Sequence, residues 1–200
     1  MGKVMMSLSV SLDGYIAGPD DGAEHPLGVG GERLFAWMGA GPEANRVNKY
    51  VAPPDASMPV VERWTEACGA IVSGRRTFDI AGGWKDGHPI DVPIFVVTHE
   101  APTEGEWSPQ VRFVTDGLES ALDQAMAVAG DKDVSVGAAD PVQQLLRAGK
   151  IDEIEVSVTP CLLGGGVRLF DHIGADAIDL EQVSVTPSEG VTHLRYRVVR

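Results

Sequence analysis

Cysteine is almost absent from this 200-residue chain: Cys68 and Cys161 stand far apart, with no Cys-x-x-Cys and no Cys/His companion at zinc spacing. That pattern argues against a disulfide framework and a structural metal, and both cysteines are read as buried small apolar groups. Basic residues are scarce as well. With 16 Lys and Arg against 29 Asp and Glu the formal net charge is −13, a field that repels nucleic acid and anionic membranes. No apolar run approaches the length that spans a bilayer, and Met1–Ser7 has no apolar core of a secretory signal. Ser7 falls one place late for a myristoylation signal at Gly2. The cytoplasm is the expected compartment, with no nucleic-acid or membrane partner. What is present, 44% hydrophobic and 22% charged residues, suits one folded domain with a full-sized core.

Val4, Met6, Leu8, Val10 and Leu12 alternate with small or polar residues as a strand, and Asp13-Gly14 turns into a second short run, Tyr15-Ile16-Ala17. A loop rich in Gly, Asp and Pro follows to about Gly31. Glu32–Met38 reads as a short helix, with Trp37 beside a substrate pocket, and Pro42, Pro53 and Pro54 break any longer periodicity. From Val60 the pattern becomes regular. Helices are predicted over Val60–Ala67, Leu118–Ala129 with Gly130 as its stop, and Val142–Arg147 with Asp140 as N-cap. Between them lie apolar strands at Ala70–Ser73, Val92–Val97, Val111–Val114 and Val134–Val136. After Glu153 only alternating strands remain. The order predicts an α/β fold: a mostly parallel central sheet with helices on both faces, extended by antiparallel C-terminal strands.

Three strand exits carry polar or glycine-rich residues: Gly74-Arg75-Arg76-Thr77, Thr98-His99 and Gly137-Ala138-Ala139-Asp140. In a parallel sheet such exits share one edge, outside which ligands bind. The first offers a glycine turn, a helix start, a hydroxyl and two guanidinium groups that fork onto phosphate oxygens. No Gly-x-Gly-x-x-Gly follows the first strand, so a standard dinucleotide fingerprint is missing. Gly164-Gly165-Gly166 lacks the lysine and hydroxyl of a phosphate loop and reads as a structural turn. His25, His88, His172 and His193 show no paired spacing for metal.

These residues resemble the dihydrofolate reductase-like family, in particular the branch related to the C-terminal reductase domain of bifunctional riboflavin-biosynthesis deaminase-reductases. The resemblance rests on Ser11-Leu12-Asp13-Gly14-Tyr15-Ile16-Ala17, Gly74-Arg75-Arg76-Thr77-Phe78, Pro93–Thr98, Val136–Leu146 and Ile151-Asp152-Glu153-Ile154 running on to Phe170. It implies a single domain over residues 1–200 that uses NADPH to reduce a small heterocyclic, pterin- or pyrimidine-like, or carbonyl substrate by hydride transfer. On that resemblance Arg75, Arg76 and Thr77 bind the cofactor's phosphates, and Thr98 and His99 flank the adenine ribose. Gly137, Ala138, Ala139, Asp140 and Val142 pass under the pyrophosphate, and Ala17 meets the nicotinamide end. Asp13 and Glu32 are the candidate acids, and a homodimer through the C-terminal strands is implied. Two positions depart from the family pattern. Ala138 stands where a second glycine is usual, and Tyr15 where riboflavin-pathway members commonly carry a basic residue. The first departure leaves a second expectation open, a non-catalytic nucleotide-binding or scaffold protein.

Overall fold

Alternation along the first strand sets the architecture. In β1 (Val4–Ser11), Val4, Met6 and Val10 turn into the main core, and Met5, Ser7, Ser9 and Ser11 turn to the opposite face. The computed structural model describes residues 2–200. Its further strands are β2 (Tyr15–Ala17), β3 (Cys68–Gly74), β4 (Ile94–Val97), β5 (Val111–Val114), β6 (Asp133–Val136), β7 (Glu153–Thr159), β8 (Val167–Arg168), β9 (Leu180–Ser188) and β10 (Val191–Val198). The helices are α1 (Met58–Ala67), α2 (Arg75–Ile80), α3 (Leu118–Ala129) and α4 (Ala139–Arg147).

Eight strands form one sheet in the order β5-β4-β3-β6-β1-β7-β10-β9. The first six run parallel; β10 is antiparallel to β7, and β9 to β10. The chain thus works outward from β3 to β5 and returns to insert β6 beside β1, which opens a crevice at the strand ends where the winding reverses. Helices α3 and α4 cover one face. Their Ala121, Leu122, Ala125, Val142, Leu145 and Leu146 interdigitate with Val72, Val134, Val136 and Ile154 in the largest core cluster. On the other face Phe78 of α2 packs on Ile71, Ile94 and Val96, and α1 lays Val61 against Trp37 and Val191. Among the described residues no helix is long and apolar enough to cross a membrane.

The expected fold class is the observed one, with local corrections. Glu32–Met38 is not one helix but two 3₁₀ turns, Gly31–Leu34 and Ala36–Gly39, because Phe35 between them leaves helical geometry at φ −115°. Helix α4 begins at Ala139, so Asp140 lies inside its first turn instead of capping it, and its carboxylate accepts from Gln144 Nε2 at 2.6 Å. Helix α3 ends as predicted at Gly130, whose φ of +65° suits a residue without Cβ.

Candidate functional site

A cavity of about 1080 Å³ runs along the carboxyl ends of β3, β4, β5 and β6 and reaches β1 and β2. Of the expected cofactor residues, Ala17, Gly74, Arg75, Arg76, Thr77, Thr98, His99, Ala138, Ala139 and Asp140 all line it. Val142 does not. It is fully buried in the core, on the side of α4 that faces the sheet. Gly137 lies just behind the lining, its N–H donating to Val72 O at 2.9 Å and tying β6 to β3.

At the β3 exit the backbone of Gly74 is extended (φ −88°, ψ 159°), so the turn itself does not demand glycine. Its missing side chain keeps the cavity open toward Pro141, the nearest atom a Cβ would meet, at 3.7 Å. Helix α2 has only six residues and a correspondingly short dipole, so positive charge here comes from the side chains. Arg75 Nε reaches both carboxylate oxygens of Asp79 (2.9 and 3.0 Å), and Nη1 donates to Glu100 O at 3.1 Å beside Thr98 and His99. Arg76 turns the other way and forks onto Asp21, with Nη2–Oδ1 2.7 Å and Nε–Oδ2 3.1 Å.

Ala138 precedes α4 at φ +83°, ψ 148°, a conformation that only glycine adopts without strain. The backbone there has been kept in the glycine geometry and the methyl group tolerated. A Cβ built on Gly137 would meet nothing within 4 Å, so the strand end stays open for a close backbone approach. An extended phosphate-bearing dinucleotide therefore fits the residues present: arginines at one end, bare backbone in the middle, and Leu8, Ile16, Ala17 and Phe35 at the other end.

That apolar end is held by a small flap, the two-stranded pairing of β2 with β8. Asp13 is its fastener and does not line the cavity. Its carboxylate accepts from Ser11 Oγ (2.6 Å), Leu163 N (3.1 Å) and Gly164 N (2.7 Å). The Ser11 bond and then the two backbone N–H groups outweigh burial and lower its pKa to about 2. Gly166 lets the flap close. Its φ is +114°, and a Cβ would lie 2.1 Å from Ala17 O. Glu32 sits on an exposed 3₁₀ turn, 3.5 Å from Arg33 Nη1, and also lies outside the lining. Trp37 is core and not pocket wall: it is 1% exposed, and Nε1 donates to Ser9 Oγ at 3.1 Å.

Among the lining groups that sequence reasoning missed are Ser9, the β5 exit (Thr115, Gly117, Leu118), Asp21, and Arg168, which stacks 4.5 Å over the Tyr15 ring. It also missed a buried polar layer behind Ser9. His193, 2% exposed, sits between Ser57 Oγ at Nε2 and Ser157 Oγ at Nδ1, both 2.8 Å away. Fully buried Glu155 accepts from Arg63 and Trp64 Nε1. The signal was present as Ser7-x-Ser9-x-Ser11 and Glu153-x-Glu155-x-Ser157, polar alternation on strands that helices cover on both sides.

The same architecture recurs in solved structures. A putative riboflavin biosynthesis protein from Shewanella sp. PV-4 superposes with a TM-score of 0.70 at 22% identity, covering 99% of both chains. Dihydrofolate reductase from Enterococcus faecalis, complexed with NADP(H), gives 0.58 at 14% identity over 100% of this chain and 98% of that one. The uncharacterized protein YyaP of Bacillus subtilis (strain 168) is 22% identical over 97% of this chain and 94% of its own. The sequence model of the RibD C-terminal domain matches residues 2–194, from the first strand into the last. With that span and the shared sheet, the chain belongs to the RibD C-terminal domain family.

Proposed function

We propose that this protein is an NADPH-dependent reductase that transfers a hydride to a small heterocyclic, pterin- or pyrimidine-like, or carbonyl substrate. One observation carries the reading: a single cavity joins arginine-bearing strand ends to an apolar pocket under the β2–β8 flap. The nicotinamide supplies the hydride; the chain supplies binding, orientation and exclusion of water. In this reading Arg75, beside Thr98 and His99, takes the 2′-phosphate, and Arg76 and Thr77 take the diphosphate with the backbone of Ala138 and Ala139. Ala17 and Ile16 form the wall at the reacting ring. Asp13 positions that wall, since a carboxyl group with a pKa of about 2 holds no proton to donate at neutral pH. The exposed Leu180, Val183 and Val185 on the terminal strand β9 support a homodimer through that edge, which light scattering tests.

Titration with NADPH tests the cofactor assignment. A ligand that binds only the folded state at a hundredfold excess over its Kd adds about 2.7 kcal/mol, so the melting temperature rises and tryptophan emission changes. NADH binds more weakly, and Arg75→Ala removes the preference. No shift at saturating NADPH overturns the reading. A second reading, a nucleotide-binding protein without turnover, is favoured by the methyl group of Ala138 in the cradle; it predicts binding with no NADPH oxidation across a panel of pterins, pyrimidines and carbonyls.

A further inference from the structure

Three arginines line the cavity, and they are not equally available. Arg168 lies over Tyr15 with no carboxylate partner recorded among the described residues. Arg75 pairs with Asp79 one helical turn away on its own element, a local contact. Of the three, Arg76 alone is ion-paired with a distant segment among the described residues: Asp21 stands 55 residues earlier, in the loop between β2 and the first 3₁₀ turn.

The geometry of that pair is the geometry of phosphate recognition. Two guanidinium nitrogens meet two carboxylate oxygens at 3.1 and 2.7 Å, and Nη2 also donates to the Asp21 carbonyl at 2.6 Å. The Asp21 side chain is 14% exposed and that of Arg76 65%, so the carboxylate reaches in from the wall while the guanidinium keeps a free, wet side. Both groups line the cavity, as do Pro26 and Leu27 of the same loop. The loop is internally tied, with Gly18 N donating to Leu27 O, Gly22 N to His25 O and Val29 N to Pro19 O. These bonds hold the loop together, and the Arg76–Asp21 pair ties it to α2.

We propose that Asp21 is an internal competitor for the phosphate of the ligand: its carboxylate occupies Arg76 in the free protein and must give way when a diphosphate arrives. The idea rests on the cofactor reading above and deepens it. Affinity is set by the difference between two partners of one guanidinium, and the displacement frees the 18–31 loop at the moment the cavity fills. Loss of an ion pair then strengthens binding, the reverse of what a structural salt bridge predicts. Asp21→Asn keeps the shape and removes the charge. Because Arg76 faces the diphosphate that NADPH and NADH share, both gain together.

The test is a titration of wild type, Asp21→Asn, Arg76→Ala and the double variant with NADPH and NADH. Asp21→Asn is expected to bind both nucleotides about threefold to tenfold more tightly, the upper figure being about 1.4 kcal/mol. The gain disappears in the Arg76→Ala background, because the two positions act through one contact. Hydrogen exchange of residues 18–31 rises in Asp21→Asn without ligand. If wild type binds NADPH and Asp21→Asn binds it equally or more weakly, the proposal is overturned while the cofactor reading stands. If no variant responds to NADPH, the cofactor reading falls. The Asp21 proposal is then judged on inorganic pyrophosphate, where equal midpoints in the two proteins overturn it.

Discussion

The two halves of the sheet solve opposite problems. Around β3, β4 and β6 both faces are apolar apart from Ser73 and Ser135, and charge is confined to the strand ends, where Arg75 and Arg76 meet the cavity beside Thr98 and Ala138. Around β1, β7 and β10 one face is apolar and the other is a buried polar layer, with Ser7, Ser9, Glu153, Glu155, Ser157 and His193 pointing to the same side. The first half keeps its arginines at the cavity in solvent-facing pairs, Arg75 with Asp79 and Arg76 with Asp21. The second pairs its groups internally, Arg63 Nε excepted, since a buried polar atom left alone costs more than a hydrogen bond returns. Ser9 is where the halves meet: it lines the cavity and accepts from Trp37 Nε1.

The sharpest way to break this contrast is at Glu155. Arg63 and Trp64 of α1 both donate to it, and Arg63 Nε is buried with no partner of its own. Glu155→Ala leaves a partly buried guanidinium and an indole N–H unpaired. A loss of about 3 kcal/mol is expected, the lower end for a broken buried pair because Arg63 is 29% exposed. Urea denaturation measures it. A loss under about 0.5 kcal/mol, the size of an ordinary surface substitution, means that the layer is not what holds α1 to the sheet.

His193 comes next. Replacement by Phe keeps the edge contact with Trp37 (ring centroids 4.9 Å apart) and strands the Ser57 and Ser157 hydroxyls, at about 2 kcal/mol. It also changes the response to pH. Burial pushes the His193 pKa below 6.5, with Glu155 opposing and Arg63 assisting. The unfolded chain therefore takes up a proton first as pH falls, and the contribution present above about 6.5 is lost on acidification toward the folded pKa. His193→Phe flattens that slope. A residual slope persists because burial lowers His88 in the same direction.

These two regions were not equally legible. The cavity half could be read because its lining uses residue types with few other uses in sequence: a glycine before paired arginines, a hydroxyl at a strand end. The fold followed from apolar runs and from the stop at Gly130. The polar layer was opaque for a physical reason. Ser9, Ser157 and His193 gain meaning only through partners remote in sequence, Trp37 for Ser9 at 28 residues and, for His193, Ser57 at 136 and Ser157 at 36, and alternation with serine looks like a solvated face until a helix is known to cover it. Asp21 was hidden likewise, since nothing local marks it as the partner of Arg76. The acids chosen from turn and helix position, Asp13 and Glu32, lie outside the cavity because position in an element does not fix which way a carboxylate faces.

The smallest effect tests the one residue at which the legible half breaks its own rule. Ala138 holds φ +83°, ψ 148°, a region costing of order 1–3 kcal/mol for a residue with a Cβ. Ala138→Gly removes that strain but gives the unfolded chain more freedom, which returns about 0.4–1 kcal/mol. The balance is a gain of about 1 kcal/mol, or about 2–4 °C in melting temperature for a chain of this size. The same change strips a methyl group from the cradle, so NADPH affinity rises with stability. That joint rise is the discriminating result, because relief of strain alone moves the melting temperature of the free protein and leaves affinity where it was. If stability climbs and affinity does not, the ligand does not approach the backbone at β6, and the diphosphate is held by the arginines of α2 alone.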